Sequence, residues 1–152
     1  MMKKNTFTVI LSTITLLLVS CGKTQTNEWN RFFGFTSTDI VGHYEANSDE
    51  SLYQDLPTEG VVICDNVAID ITAGSGNSVS LHIVIPDQLN EVFSGVLDTE
   101  DNSSDLVLYN TYDDLMASVF KDSQGQIRIH GRVKPKSITN SSIIRSFDVI
   151  KK

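Results

Sequence analysis

From residue 39 onward, apolar and polar side chains alternate with a period of two, and turn residues interrupt the alternation at short intervals. This pattern is typical of β-strands that bury one face. It predicts strands near residues 39–46, 60–72, 78–85, 91–98, 105–110, 116–121, 126–134 and 141–150. Residues 74–77 and 122–125 carry the clearest hairpin-turn signals, and no stretch has the pattern of a long helix.

Eight or nine short strands joined by short loops predict an all-β fold. Such a meander must remove or protect its edge strands, and closure into a barrel does both. Sequential hairpins favour an antiparallel up-and-down barrel over residues 39–152. A two-sheet β-sandwich is the alternative.

The first twenty residues follow a different pattern. Lys3 and Lys4 precede an apolar stretch over residues 6–19, which is shorter than the roughly 20 residues of a membrane-spanning helix. Its length is that of a signal-peptide core. The stretch ends in the sequence Leu18-Val19-Ser20-Cys21. Leucine at −3, a small residue at −1 and cysteine at +1 resemble the cleavage box of bacterial lipoproteins. The resemblance implies that residues 1–20 are removed and that Cys21 carries the lipid.

The residues after the cysteine bear on location. Gly22 stands where lipoproteins kept in the inner membrane carry aspartate, so the resemblance implies an outer-membrane lipoprotein of the cell envelope. No acidic residue occurs before Glu28, which favours the periplasmic face over the cell surface. We expect the lipid to make the membrane one partner of the chain.

Residues 21–38 are predicted to form a lipidated tether with a short aromatic helical turn. Trp29, Phe32 and Phe33 have the spacing of one helical face. They are candidates for contact with the membrane interface or with a protein partner. The alternative is a short helix that closes one end of the core.

Charge and cysteine content narrow the function. Removal of residues 1–20, which hold two lysines and no acid, changes the formal net charge from −7 to −9. An acidic surface of this kind repels phosphate backbones, so we expect no nucleic-acid partner. With Cys21 lipidated, Cys64 has no second cysteine for an intrachain disulfide, and we expect it to be buried.

One further resemblance concerns the fold. Gly42-His43-Tyr44 on the first predicted strand is similar to the Gly-x-Trp motif of lipocalins, and Arg145 on the last strand matches their basic residue that packs over the tryptophan. The likeness to these calycin-type proteins implies a lipocalin-like barrel whose cup holds a small hydrophobic ligand. The large side chains expected to face its interior are Tyr44, Phe93, Phe120 and Phe147.

Residue types that carry chemistry are present but do not form known motifs. His43, His82 and His130 each fall on the more polar side of a strand, as expected for solvent-facing histidines. The acidic stretch over residues 98–105 lacks the spacing and glycine of an EF-hand. No nucleophile elbow, P-loop or dinucleotide fingerprint occurs. We therefore expect no metal, no cofactor and no catalytic residues.

Two functions remain open at this stage. The first is a non-catalytic binder of a small hydrophobic ligand inside the barrel. The second is a protein-interaction module, such as an inhibitor or accessory subunit of an outer-membrane complex. Fold analogy alone favours the first.

Overall fold

The computed structural model describes residues 28–46, 61–64, 66–98, 102–137 and 143–152. The predicted signal peptide, Cys21 and most of the tether lie outside the described residues. In chain order the elements are β1 (Asn30–Arg31), α1 (Ser37–Ile40), β2 (Gly42–Ala46), β3 (Val61–Ile63), β4 (Ala68–Ala73), β5 (Ser78–Ile85), β6 (Leu89–Val96), β7 (Asp105–Tyr109), β8 (Asp113–Lys121), β9 (Ile127–Pro135) and β10 (Ile144–Lys151). Within the described ranges, no helix has the length and apolar character needed to cross a bilayer.

Eight of the described strands close into an antiparallel barrel in the order β2-β4-β5-β6-β7-β8-β9-β10, and β10 pairs back to β2. Each remaining described strand lies beside one barrel strand: β1 pairs antiparallel with the end of β8, and β3 pairs parallel with the start of β10. The prediction of an all-β up-and-down barrel is confirmed, and the sandwich alternative is wrong. Closure gives both edges of every barrel strand a partner.

The turns form where the sequence predicts them. Gly76 and Gly125 have φ angles of +62° and +87° in the β4–β5 and β8–β9 turns, a region that glycine enters without steric cost. Asp122 Oδ1 accepts the backbone N–H groups of Gln124 and Gln126 at 2.9 and 2.8 Å and so holds the second turn.

The alternation of each strand places one face in a single hydrophobic core. β5 shows this most clearly, since every second side chain from Val79 to Ile85 is buried. Equivalent positions of the other barrel strands complete the core, and α1 adds Ile40, which is 0% exposed. The core therefore fills the interior of the barrel, and α1 contributes to it at one end.

The predicted helical turn over the aromatic segment is wrong. Residues 30–31 form strand β1, Gly34 has a φ of +63°, and the helix α1 begins only at Ser37. Phe32 N–H donates to the Val119 carbonyl at 2.9 Å, so this segment takes its hydrogen bonds from β8. Three residues with helical spacing cannot offset the cost of starting a helix when strand pairing is available.

The α1 end of the barrel contains the Gly-x-Tyr motif. Tyr44 is 0% exposed and donates its hydroxyl hydrogen to the Ile40 carbonyl at 2.6 Å. Lys151, not Arg145, lies across from Tyr44 on the last strand, and its ammonium donates to the Asp39 carbonyl at 3.1 Å. Arg145 is six residues earlier on β10, which is about 20 Å along a strand. The expected pairing of Arg145 with the motif is therefore wrong.

Candidate functional site

Three of the four aromatic residues expected inside the barrel are there. Tyr44, Phe93 and Phe147 are each 0% exposed. A side chain with no accessible surface borders no space that would admit a water molecule, either inside or outside the protein. The same holds for many of their neighbours, including Leu81, Leu106, Leu108, Leu115, Val119 and Ile129. Around these residues the barrel is filled by its own side chains, as small barrels can be.

Phe120 does not face the interior. The buried side of β8 is formed by Leu115, Ala117 and Val119, so Phe120 has the opposite parity and lies on the outer face. There it pairs with Arg31 of β1, whose guanidinium lies 5.9 Å from the ring centre. The alternation of side chains along β8 predicts this outward position of Phe120. Its large aromatic side chain suggested an interior position instead.

The aromatic residues of the N-terminal segment have separate environments. Trp29 is half-buried, and its ring lies 5.3 Å from the Arg128 guanidinium carbon. Phe32 packs against the core, with the Lys121 ammonium 4.5 Å from its ring centre. Phe33 is 53% exposed. The segment thus binds along the outside of the barrel and presents one aromatic side chain to solvent.

A concave feature lies on the outer wall of the barrel. It is a depression of about 270 Å³ over β7, β8, β9 and β10. Its lining combines apolar, hydroxyl, imidazole and charged groups from Asp105, Val107, Met116, Ala117, Ser118, His130, Gly131, Arg132 and Ser146. No aromatic side chain lines it.

Two small residues whose Cα atoms point toward the barrel interior, Ala117 and Gly131, lie beneath this depression. Gly131 lies opposite Ala117 on β8 and opposite Phe147 on β10. A Cβ atom at Gly131 would meet the Met116 carbonyl oxygen at 2.8 Å and the Ala117 Cα at 2.9 Å. The two strands therefore approach closely only because position 131 has no side chain, and the backbone at these two positions forms the floor of the depression.

Strand register brings a row of polar residues across the outer wall. Asp105 lies opposite Ser118, Ser118 opposite His130, and His130 opposite Asp148. Directly opposed residues have Cβ atoms roughly 5 Å apart, so a serine, a histidine and an aspartate become neighbours. Sequence reasoning did not find this row, because pairing between strands cannot be read from spacing along the chain.

The hydrogen bonds of this row are not those of a catalytic triad. Ser118 Oγ donates to Asp105 Oδ1 at 2.8 Å rather than to the histidine. Asp148 accepts two hydrogen bonds from Arg128. The Nδ1 atom of His130 is buried and has no hydrogen-bond partner in the described part of the chain. A triad requires the base to contact both its nucleophile and its orienting carboxylate, so this arrangement has no activated serine.

Asp148, the last residue of this row, belongs to a buried ion pair with Arg128. Arg128 and Asp148 are 1% and 0% exposed. Arg128 Nε donates to Asp148 Oδ1 at 2.8 Å, and Nη2 donates to Oδ2. Both side chains are on the outer face of their strands, where Trp29 packs over the guanidinium. The N-terminal segment thus helps bury charges that the barrel alone would leave at its surface.

The outer face of β9 is basic. Residues 128, 130, 132, 134 and 136 are all basic and occupy alternate positions. Arg128 is neutralised by Asp148, and the Lys136 ammonium lies 3.8 Å from an Asp114 carboxylate oxygen. Arg132 and Lys134 form no ion pair with a described residue, although Lys134 lies directly opposite Asp114 in the β8–β9 register. The basic face of β9 could have been predicted from the alternation of basic residues in the sequence.

Exposed apolar side chains lie next to these basic groups. Val96, Tyr109 and Met116 are 74%, 52% and 41% exposed. Lys136 lies 5.7 Å from the ring centre of Tyr109. We name the combined area the β6–β9 surface, and it comprises Val96, Val107, Tyr109, Met116, Arg132, Lys134 and Lys136. Aromatic, methionine and arginine side chains are enriched at protein interfaces.

The other two histidines have simpler surroundings. His43 Nδ1 and Asp70 Oδ1 are 2.7 Å apart, and this hydrogen bond, helped by Glu45, raises the pKa of His43 above its ordinary value. His82 Nε2 lies 2.8 Å from Asn90 Oδ1. Over the described ranges, no group of three or more His, Cys, Asp or Glu side chains is arranged to hold a metal ion.

A second polar group occupies the end of the barrel opposite α1. Asn110 donates an amide hydrogen to Glu91, and the carboxyl group of Asp113 lies close enough to Glu91 to affect its pKa. Burial, followed by the charge of Asp113, raises the pKa of Glu91, while the Asn110 hydrogen bond and Arg145 act in the opposite direction. Arg145 therefore belongs to this end of the barrel, where its Nε is buried without a hydrogen-bond partner in the described chain.

Comparison with protein families, curated proteins and solved structures finds no match to this chain.

Proposed function

We propose that this protein is a lipid-anchored module of the outer membrane that binds another envelope protein through the β6–β9 surface. Cys21 carries the lipid, and the barrel stays on the periplasmic side as a solid, non-catalytic scaffold. Partner binding of this kind corresponds to an inhibitor or an accessory subunit of a membrane complex.

The filled interior is the observation that carries the proposal. A ligand cup needs an apolar cavity with a few polar groups, but Tyr44, Phe93 and Phe147 have no accessible surface. The groups available for recognition are instead on the outside. The β6–β9 surface combines exposed apolar side chains with the guanidinium of Arg132, which is exposed and forms no ion pair in the described chain. A small hydrophobic ligand therefore has less support than a protein partner.

The position of the N-terminal segment fits an anchored module. Trp29 lies beside Arg128 on the outer wall, and eight residue steps separate it from Cys21. An extended chain covers about 28 Å in eight steps. A lipid on Cys21 would hold the barrel wall near the membrane and would raise the effective concentration of a partner in the same membrane.

The anchor is tested by replacing the lipidated residue. We expect the Cys21→Ala variant to move from the membrane fraction to the soluble periplasmic fraction, because no acyl chains remain to insert. Mass spectrometry of the mature wild-type protein should find diacylglycerol and an additional acyl chain on Cys21. Unchanged membrane retention of Cys21→Ala would remove the lipoprotein assignment.

The binding surface is tested by site-specific photocrosslinking in cells. A photoreactive amino acid at Val96 or Met116 should capture a specific envelope protein. The same group at Thr72, an exposed position on β4, serves as the matched control and should not. Equal capture from all three positions, or no protein capture from any, contradicts the proposal. Native mass spectrometry should find the mature barrel without a stoichiometric small ligand.

A further inference from the structure

We infer that the depression on the outer wall receives an acidic side chain, together with an adjacent apolar one, from a segment of the protein partner. This inference rests on the proposed function and specifies the chemistry of the partner. Four observations on the described residues carry it: the pairing of the neighbouring strand edges, the guanidinium of Arg132 without an ion-pair partner, the imidazole of His130 in the lining and the apolar wall.

The mode of recognition follows from barrel closure. β7, β8 and β9 are each paired on both sides. A partner therefore cannot add a strand at this place, as peptides do at open sheet edges. Recognition must use side chains that enter the depression, and about 270 Å³ is enough for one or two of them.

The charge of the depression favours a carboxylate. Asp105, the acidic group in its lining, already accepts hydrogen bonds from Ser118 and Arg31. Arg132 has no acidic partner in the described chain and is exposed at the rim. A guanidinium binds a carboxylate with two parallel hydrogen bonds, which a single ammonium cannot do. Lys134 lies two residues further along the same face, opposite Asp114, so Arg132 is the cation that this inference depends on.

His130 provides a further contact for a bound segment. Its Nδ1 atom is buried without a hydrogen-bond partner in the described chain. Burial lowers the pKa of His130 despite the opposing charge of Asp148, so the imidazole is neutral near pH 7. A neutral ring offers one donor and one acceptor nitrogen. Because Nδ1 is buried, a carboxylate or a backbone amide in the depression can pair with this ring only through its other nitrogen, Nε2.

The apolar wall of the depression indicates that the acidic residue of the partner segment has an apolar neighbour. Val107 and Met116 lie opposite each other on β7 and β8 and face the same side. Methionine adapts its shape to different apolar partners. A flat bilayer surface could offer lipid phosphates to Arg132 at the rim, but it would not enter the depression and contact Val107 and Met116. The occupant with the best fit is thus an acidic residue flanked by an apolar one.

The test uses the full, lipidated chain in cells. A photoreactive amino acid replaces Met116, and the crosslinked peptide of the partner is identified by mass spectrometry. We expect an Asp or Glu within a few residues of the crosslinked position. Arg132→Glu should lower the crosslinking yield at least tenfold, and Arg132→Lys should lower it less. Lys152→Glu, the same charge reversal at an exposed position outside the depression, should leave the yield unchanged.

A charge-swap experiment completes the test. Replacement of the identified acidic residue of the partner by arginine should restore crosslinking to the Arg132→Glu variant. A crosslinked segment without an acidic residue, an equal loss in Lys152→Glu, or a crosslink to lipid alone would overturn the inference. Protein crosslinks from Val96 but not from Met116 would overturn it and leave the proposed function standing. No protein crosslink from either position would overturn both.

Discussion

Breaking the buried ion pair on the outer wall is the most informative perturbation of stability. The substitution Asp148→Asn removes one negative charge and keeps the side-chain shape nearly unchanged. Arg128 would then be a positive charge at 1% exposure without its counter-ion. A buried charge that loses its partner costs about 3–5 kcal/mol. A typical domain has about 5–15 kcal/mol in total, so the loss is a large part of the stability.

Urea denaturation can measure this loss. With a denaturant dependence of about 2 kcal/mol per molar urea, a loss of about 4 kcal/mol lowers the transition midpoint by about 2 M. Trp29 is the single tryptophan of the chain and lies over Arg128, so its fluorescence reports on the region that is perturbed. Circular dichroism of the barrel should give the same midpoint if unfolding is two-state.

A double substitution is the control for this prediction. Arg128→Met with Asp148→Leu removes both charges and retains apolar volume. Buried pairs replaced in this way often leave stability unchanged or increase it by about 1–4 kcal/mol. The double variant loses the contact of Arg128 with Trp29, which is worth about 1 kcal/mol. We therefore expect it to be clearly more stable than Asp148→Asn. If Asp148→Asn costs less than about 1 kcal/mol, or if the double variant is equally unstable, the reasoning is refuted.

Three further outcomes follow from the described contacts. Gly131→Ala should lower the free energy of unfolding by about 1–3 kcal/mol, because the added methyl group meets the backbone of Ala117; an unchanged thermal midpoint would argue against this close approach. Glu91→Gln should raise the free energy of unfolding at pH 7. The pKa of Glu91 is raised in the folded chain, so the stability that its protonated carboxyl provides is fully present below pH 4.5 and is lost as the pH rises through the folded-state pKa. A loss of stability in thermal melts at pH 7 would contradict this prediction. His130→Gln should make the free energy of unfolding fall less steeply below pH 6.5, because the lowered pKa of His130 means that protonation favours the unfolded chain. Equal slopes of stability against pH for the wild type and the variant, from urea titrations between pH 7 and 5, would exclude that role.

The sequence predicts the barrel because local pattern and global fold agree. Alternation in β5 assigns its buried face directly, and the glycine turns join neighbouring strands that pair in sequence order. An up-and-down barrel needs no long-range information except the final pairing of β10 with β2. Tyr44, Phe93 and Phe147 lie inside the barrel, as the size of their side chains predicted.

The features that escaped prediction depend on non-local contacts. Arg128 lies on a polar strand face, and its burial requires both the register of β10 and the return of the N-terminal segment over it. The row that contains Ser118 and His130 depends on the register between β8 and β9, which a pattern within one strand does not contain. The helical spacing of Trp29 and Phe32 was misleading because a short segment adopts the structure of the strand that it meets.

In the proposed function, the N-terminal segment would also link the anchor to the binding surface. β1 pairs with the end of β8, and Trp29 contacts Arg128 on β9, so the chain leaves the barrel next to the strands that carry the β6–β9 surface. A lipid on Cys21 would thus hold this surface within tens of ångströms of the membrane, since eight residue steps span about 28 Å at most. The opposite wall carries Asp70 and Glu45 around His43, and Lys152 lies 3.5 Å from Glu45. Because only the wall of the β6–β9 surface lies beside the proposed tether, anchoring at Cys21 would give the barrel a defined orientation and would favour partners that lie close to the bilayer.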